Sequence, residues 1–109
     1  MGIFQAIRSA LSGLNVTQTL PVDSVLIDVR SPGEFSQGHI EGSANFPVGD
    51  IANRIAAVCS DKSANIIVFC ASGGRSSAAR NVLISMGYAH VFNGGGVAGL
   101  ARQLNKRLV

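Results

Sequence analysis

The segment IIVFCASGGRSSAARNVLISMG, residues 66–87, is the most informative part of the chain for the fold, because it joins a hydrophobic run to a helix through a loop of small residues. The apolar, β-branched run at 65–70 is short enough to form a strand that is buried on both faces. Gly87 is a stop signal for the helix that follows the loop. The apolar positions on one face of that helix are Ala78, Ala79, Val82, Leu83 and Met86.

Three other hydrophobic runs predict further strands, at 24–30, 43–47 and 90–92. The three glycines at 94–96 predict a turn after the last strand. Because strands alternate with helices along the chain, the sequence predicts an α/β fold with a parallel sheet covered on both faces. Such sheets bind ligands beyond the carboxyl ends of their strands, and Cys70 lies at one of these ends.

Helix start signals accompany this pattern. Ser31 is placed to cap a helix with Pro32 at its first position, and Asp50 is placed to cap a second helix. The second helix has its apolar face at Ile51, Ile55, Val58 and Cys59, and the last helix has its apolar face at Val97, Leu100, Ala101, Leu104 and Leu108.

Cys70 is the candidate nucleophile. Ala71, Ser72, Gly73 and Gly74 follow it, and residues this small let the backbone curl and turn its N–H groups inward. A helix then begins near Ser76, so its positive end faces the loop, and Arg75 adds a cation. Each of these features lowers the pKa of a thiol, and the thiolate is the reactive form. Arg75 is also suited to holding a tetrahedral oxyanion through two parallel hydrogen bonds. The alternative is a buried cysteine at a strand end, followed by an ordinary turn.

Other polar residues have structural interpretations. Cys59 falls on an apolar helix face, which favours an inert core thiol over a resolving or redox role. Asp28 and Arg30 share one face of a strand end, where an ion pair bracing the loop is favoured and a supporting role at the site is the alternative. His39 is favoured as a hydrogen-bonded structural residue over a general base or metal ligand. His90 carries no specific signal.

Composition limits the function. The 109 residues are 47% hydrophobic and 14% charged, which predicts one compact domain, at 15–109, with a core of its own. The net charge of +3 comes without a basic stripe interleaved with aromatics, so we expect no nucleic-acid partner. Two cysteines form neither a disulfide framework nor a familiar zinc spacing, and free thiols favour the cytoplasm. Residues 1–14 predict a short amphipathic helix, packed on the domain in preference to anchoring it to a membrane or partner.

Three blocks of the sequence resemble the rhodanese family of sulfurtransferases. They are LIDVRSPGEFSQGHIEGSANFP (26–47), IIVFCASGGRSSAARNVLISMGY (66–88) and VFNGGGVAGL (91–100). The first block carries the family's Asp-x-Arg and Gly-His-Ile, and the second carries its cysteine loop. The chain departs from the family pattern at Glu41, Ser43 and Val97, where Pro, Ala and a bulky aromatic are common.

The resemblance implies a rhodanese-like α/β fold with a five-stranded parallel sheet and helices on both faces. It implies that Cys70 takes the outer sulfur of thiosulfate as a persulfide and passes it to cyanide or a thiol, with no cofactor and no metal. A protein donor or acceptor is also compatible with it. The loop N–H groups of Ala71, Ser72, Gly73, Gly74, Arg75 and Ser76 would stabilise the persulfide and bind the substrate.

Two other functions compete with this interpretation. The first is a persulfide relay or adaptor module that turns over thiosulfate poorly. The second is a phosphatase or arsenate reductase, because enzymes of these kinds occur on the same fold. Those enzymes place five residues between the cysteine and the arginine, whereas only 71–74 intervene here, so the ring of N–H groups is predicted to be too small for phosphate.

GGGVAG (94–99) matches a dinucleotide fingerprint, but no acidic residue follows it. The glycines are instead expected to bring the backbone close to the cysteine loop.

Overall fold

The computed structural model describes residues 19–109, so the helix predicted at 1–14 lies outside the described residues. Strands and helices alternate along the described chain, as the hydrophobic pattern predicts. The elements are β1 (Val25–Asp28), α1 (Pro32–Ser36), β2 (Ala44–Asn45), α2 (Ile51–Arg54), a 3₁₀ turn (Ile55–Ala57), β3 (Asn65–Cys70), α3 (Gly74–Ser85), β4 (His90–Gly96) and α4 (Val97–Leu104).

The described strands form one parallel sheet in the order β2-β1-β3-β4. The α/β class and the parallel sheet are therefore confirmed. The predicted number of strands differs, since residues 19–109 contribute four strands and not five. The physical reason is that the remaining hydrophobic residues of this part of the chain lie on helices or in loops, which leaves β2 and β4 at the edges.

Helices cover both faces of the sheet, and the alternation of β3 divides the core into two layers. Ile66, Val68 and Cys70 point into one cluster, which contains the buried faces of α2 and α3. Ile67 and Phe69 point into the other cluster, together with Leu100 and Ala101 of α4. Because β3 is hydrogen-bonded to a neighbour on each side, its last residue lies at the middle of the carboxyl edge of the sheet.

The helix boundaries confirm several start signals and correct others. Ser31 caps α1 through a capping box with Glu34, and Pro32 is its first residue. Asp50 precedes α2 as predicted, but its side chain makes no capping hydrogen bond. Helix α3 begins at Gly74, two residues before the expected Ser76, because Gly73 already has the left-handed conformation that ends the loop.

Three predicted helix faces are narrower than the sequence suggested. Val58 is 47% exposed because the 3₁₀ turn at 55–57 rotates it away from the core. Ala78 is exposed beside the buried Ala79. Leu108 lies beyond the end of α4 and forms an isolated antiparallel bridge with Ile40.

The prediction of a turn at 94–96 was wrong, because β4 continues through Gly96. Within residues 19–109, none of the helices has the length and hydropathy needed to cross a membrane.

Candidate active site

The loop after β3 folds around the sulfur of Cys70. Gly73 has φ +104°, which an L side chain rarely adopts, and this conformation turns its N–H group back towards the strand end. The Gly73 N–H donates to Sγ of Cys70 at 3.0 Å. Hydroxyl Oγ of Ser76, in the first turn of α3, lies 3.5 Å from the same sulfur. The predicted curl of the backbone around the thiol is therefore present.

Two opposing effects set the pKa of the Cys70 thiol. Burial raises it, because a thiolate loses solvation away from water. Hydrogen bonds from the Ser76 hydroxyl and from the N–H groups of Ser76, Ser72 and Gly73 oppose burial, since they stabilise the charged form. The donors prevail and lower the pKa of Cys70 from 9.0 to about 7. A substantial fraction of the sulfur is therefore thiolate at neutral pH.

Ser76 belongs to a network that the sequence did not reveal. Its hydroxyl donates to Oδ1 of Asn93 at 2.7 Å and also lies 3.1 Å from the carbonyl oxygen of Gly73. Asn93 Oδ1 accepts from the Gly95 N–H at 2.9 Å, and Asn93 Nδ2 donates to the Gly73 carbonyl at 3.1 Å. Asn93 thus ties the cysteine loop to β4.

The single proton of the Ser76 hydroxyl links this network to the charge on the sulfur. A hydroxyl carries one donor, so it serves either Asn93 or the thiolate at a given moment. While Cys70 is protonated, the thiol can donate to Ser76 Oγ and Ser76 can donate to Asn93. When the sulfur ionises, rotation of the Ser76 hydroxyl supplies a donor to the thiolate. Asn93 Oδ1 then still accepts the hydrogen bond from the Gly95 N–H.

Burial alone does not distinguish the two cysteines. Cys59 is 7% exposed and Cys70 only 1% exposed. They differ in their polar surroundings: Cys59 Sγ has one weak hydrogen bond, 3.6 Å from the Asp61 carbonyl, and otherwise packs among the apolar residues of the core. Cys70 instead faces the loop amides and Ser76.

The glycines of β4 allow the strand to pass close to the cysteine loop, as expected from GGGVAG. A Cβ atom at Gly96 would lie 2.5 Å from the carbonyl oxygen of Ala71, and one at Gly94 would lie 2.8 Å from a methyl group of Ile67. Real Cβ atoms essentially never approach so closely. The close approach is therefore made by strand residues and not by a turn.

Arg75 is engaged in a way that the sequence did not predict. Its two Nη atoms donate to the two carboxylate oxygens of Glu34, at 2.6 and 3.0 Å. The hydrogen bond from Arg75 and the capping bonds from Ser31 lower the pKa of Glu34 to about 2, and Glu34 in turn raises the pKa of Arg75. A smaller contribution to the Arg75 pKa comes from Cys70, which places the guanidinium near the sulfur. The forked edge of Arg75 therefore holds a carboxylate at the rim of the loop.

Asp28 and Arg30 form the ion pair that was favoured from the sequence. Arg30 Nη2 donates to Asp28 Oδ2 at 2.7 Å and to the Gly38 carbonyl at 2.7 Å, and the Asp28 side chain is fully buried. The intervening Val29 N–H donates to the carbonyl of Phe69, the residue before Cys70. The pair thus braces the strand beside the site, and a supporting role at the site stays a prediction for both residues.

The histidines lie as the structural interpretation expected. His39 stacks on Phe35 with ring centroids 3.7 Å apart, and its Nδ1 lies 2.9 Å from the Phe35 carbonyl. His90 is exposed at the start of β4, away from the carboxyl edge of the sheet.

The residues predicted to bind substrate lie together at this edge. Ala71, Ser72 and Gly74 are exposed on the loop rim, Gly73 and Arg75 are half-buried, and Ser76 is buried beneath them. Glu34 and Asn93 are the neighbours that sequence reasoning missed.

Comparison with known proteins agrees with this geometry. The chain matches the family model of the rhodanese-like domain over residues 13–101. It is 36% identical to the thiosulfate sulfurtransferase PspE of Escherichia coli K12, covering 86% of this chain and 92% of that protein. It is 34% identical to the thiosulfate sulfurtransferase GlpE of Pseudomonas aeruginosa LESB58, covering 62% of this chain and 60% of that protein.

A solved structure, a rhodanese with anions from E. coli, superposes with a TM-score of 0.67 at 38% identity, covering 70% of this chain and 89% of that one. The cysteine loop at the carboxyl edge of a parallel sheet, the family match and these relatives agree: the chain belongs to the rhodanese-like domain family.

Proposed function

We propose that the protein is a thiosulfate sulfurtransferase that carries sulfur on Cys70. The observation that supports this proposal most strongly is the Cys70 sulfur itself, held at a strand end with a pKa of about 7 under inward-facing N–H groups. A thiolate of this kind is a nucleophile at neutral pH.

In the first half-reaction, the Cys70 thiolate attacks the outer sulfur of thiosulfate. A new S–S bond forms, the bond between the two thiosulfate sulfurs breaks, and its electron pair leaves with sulfite. The outer sulfur stays on Cys70 as an anionic persulfide. The N–H groups of Ser72, Gly73 and Ser76, which favour a negative charge on Sγ, would stabilise the persulfide in the same way.

In the second half-reaction, cyanide or a thiolate acceptor attacks the outer sulfur of the persulfide. The bond to Cys70 Sγ breaks and its electron pair returns to the cysteine, which is again a thiolate. No external oxidant or reductant enters this cycle, because the sulfur transferred arrives and leaves in the same oxidation state. The proposed chemistry is therefore a ping-pong transfer that needs no cofactor.

Access to the sulfur is a requirement of this scheme. Cys70 is 1% exposed, and the residues above it on the rim, Ala71, Ser72 and Gly74, are exposed. We expect these rim residues to move and expose the sulfur when a donor binds, because exposed loop residues with small side chains have few packing contacts to lose.

The direct test is the intact mass of the protein after incubation with thiosulfate and removal of the excess. Wild type and Cys59→Ser should each gain one sulfur atom, and Cys70→Ser should gain none. Loading of Cys70→Ser, or its absence from Cys59→Ser, would refute the assignment of roles to the two thiols.

A persulfide relay is the second candidate, and the Glu34–Arg75 pair is the observation in its favour. Arg75 is the loop cation suited to a sulfonate group, and its forked edge already holds a carboxylate. A relay would load Cys70 quickly from a protein or small-molecule persulfide and slowly from thiosulfate. Comparing the two loading rates separates these proposals.

The phosphatase or arsenate reductase alternative is weaker. In this loop the Gly73 N–H contacts the sulfur itself at 3.0 Å, so it is not directed at a separate oxyanion above the thiolate. Turnover of p-nitrophenyl phosphate without turnover of thiosulfate would reverse this ranking.

We also expect the protein to act in the cytoplasm, where its two free thiols would stay reduced.

A further inference from the structure

The ion pair at the rim of the loop joins two elements that are distant in sequence. Glu34 lies in α1 and Arg75 in the first turn of α3, with both Nη atoms of the guanidinium bonded to the carboxylate. Glu34 Oε1, which accepts from Arg75 Nη1, also accepts from the N–H group of Ser31 at 3.2 Å and from the Ser31 hydroxyl at 3.1 Å. The carboxylate is therefore held in position by Ser31 as well as by Arg75.

This pairing changes the charge that an approaching substrate meets. The side chains of Arg75 and Glu34 are 40% and 38% exposed, so the pair lies where a donor from solvent would enter. An anionic donor must come close to a sulfur that is itself ionised, and Arg75 is the cation nearest to it among the described residues of the loop. Glu34 neutralises that cation and occupies the edge that would bind a sulfonate in bidentate fashion.

We propose that Glu34 is a specificity-determining residue that competes with anionic donors for Arg75. This inference rests on the proposed sulfur transfer at Cys70. An anionic donor must either displace the carboxylate from the guanidinium or bind beside it, and both routes weaken its binding. Donors that carry the sulfur without a tetrahedral oxyanion group, such as an alkyl persulfide, present no sulfonate to the forked edge of Arg75 and avoid this competition. Glu34 thus shifts the preference of the site from thiosulfate towards such donors.

Glu34→Gln is the informative substitution. A capping box accepts Glu or Gln at the third helical position, so the variant keeps the cap of α1 while it loses the negative charge. Glu41→Gln is the matched control. It removes the same charge from an exposed pair with Arg107, 3.7 Å apart, whose residues lie outside the cysteine loop.

The first experiment alkylates Cys70 in a Cys59→Ser background with iodoacetate and with iodoacetamide. In both reactions the thiolate forms an S–C bond and iodide leaves, but only iodoacetate is anionic. The ratio of the two rates cancels any change in the thiolate fraction. We expect Glu34→Gln to raise the ratio on the order of three- to tenfold, the scale of one unpaired charge at a partly solvated site, and Glu41→Gln to leave it unchanged. An unchanged or lower ratio in Glu34→Gln would overturn the proposal.

The second experiment measures the steady-state kinetics of thiosulfate turnover. Glu34→Gln should lower KM by a similar factor and change kcat little. A higher KM would mean that Glu34 orients Arg75 for the substrate, which contradicts competition. The alkylation ratio does not depend on sulfur transfer, so the two hypotheses fail separately. A raised ratio in a protein that never loads sulfur refutes only the proposed function, and an unchanged ratio in a protein that loads sulfur refutes only the role of Glu34.

Discussion

At the scale of single residues, the chemistry of Cys70 depends on a few donors within one loop. The Gly73 N–H and the Ser76 hydroxyl act directly on the sulfur, and Asn93 fixes the loop that carries them. Cys59 shows what the same side chain does without such donors, since it packs in the core as an ordinary apolar group. Under the proposed function, the difference in reactivity between the two thiols therefore depends on their polar surroundings and not on their burial.

Ser76→Ala should raise the pKa of Cys70, because the thiolate loses the largest of the stabilising hydrogen bonds. The folded pKa of about 7 lies below the ordinary value of 9.0, so the thiolate fraction grows as pH rises through 7 and would grow only at higher pH in the variant. We expect a loss on the order of three- to tenfold in the rate of sulfur loading at pH 7, which recovers at high pH. Ser77→Ala, at the exposed next position, is the control. A loss that is equal at every pH would argue against this role of Ser76.

Asn93→Ala should reduce kcat more than it changes KM, since Asn93 holds the Gly73 carbonyl and the Ser76 hydroxyl and touches neither donor nor acceptor in the proposed scheme. The expected loss in kcat is on the order of tenfold, because the cysteine loop is no longer held in position by the hydrogen bonds of Asn93. Steady-state kinetics with thiosulfate and cyanide measure both constants. A change confined to KM would indicate direct contact with substrate instead.

At the scale of elements, the contact between β4 and the cysteine loop is the feature most sensitive to added volume. Gly96→Ala would bring a methyl group within 2.5 Å of the Ala71 carbonyl, so either the strand or the loop must move. We expect a loss of most sulfur loading and a destabilisation of about 1–3 kcal/mol. The measurements are the mass gain with thiosulfate and urea denaturation.

Gly99→Ala is the matched control for that substitution. Gly99 lies in α4, and a Cβ atom there meets nothing within 4 Å. Alanine has the higher helix propensity, so this variant should be as stable as the wild type or more stable by about 0.5–1 kcal/mol. If both alanines have the same effect, the close approach at Gly96 is not what matters.

Some secondary-structure elements follow from the local sequence, and others do not. The bounds of β3, the cap at Ser31 and the stop at Gly87 follow from signals a few residues long, and they are confirmed. The strand character of Gly94–Gly96 has no such signal. In the local sequence, three glycines predict a turn. The strand needs residues without side chains at Gly96, because of the Ala71 carbonyl, and at Gly94, because of the Ile67 side chain, and both of these contacts are with residues distant in sequence.

At the scale of the whole molecule, one buried ion pair ties the sheet to the loops at its carboxyl edge. Asp28 is fully buried, and Arg30 reaches from it to the Gly38 carbonyl. Asn45 Nδ2 donates to the carbonyls of both residues, at 3.0 and 2.9 Å, so β2 joins the same network. The network lies next to Phe69 and thus supports the strand that ends in Cys70.

Asp28→Asn should therefore destabilise the fold, because it leaves the largely buried guanidinium of Arg30 without its counter-charge. Removing one partner of a buried pair costs about 3–5 kcal/mol, whereas an exposed pair contributes about 0–1 kcal/mol. Glu41→Gln tests the exposed case. Urea denaturation of the two variants should separate them clearly, and equal stabilities would show that the Asp28–Arg30 pair is not a structural brace.

The distance along the chain between contacting residues explains which parts of the site were predictable. The cysteine, its loop and the following helix form one continuous segment, so their chemistry could be inferred from adjacent residues. The Glu34–Arg75 pair joins residues 41 positions apart, and Asn93 contacts a residue 20 positions before it. Such pairs arise only when crossover connections bring separate loops to one edge of the sheet. The polar neighbours that tune the site were therefore not visible in the local pattern.

The ionisation of Cys70 is best measured by the pH dependence of its alkylation with iodoacetamide in a Cys59→Ser background, because a neutral reagent reports the thiolate fraction alone. The amides and the Ser76 hydroxyl around the sulfur predict a titration with its midpoint at a pH of about 7. A midpoint near 9.0, the value of an ordinary thiol, would show that the loop donors do not stabilise the thiolate.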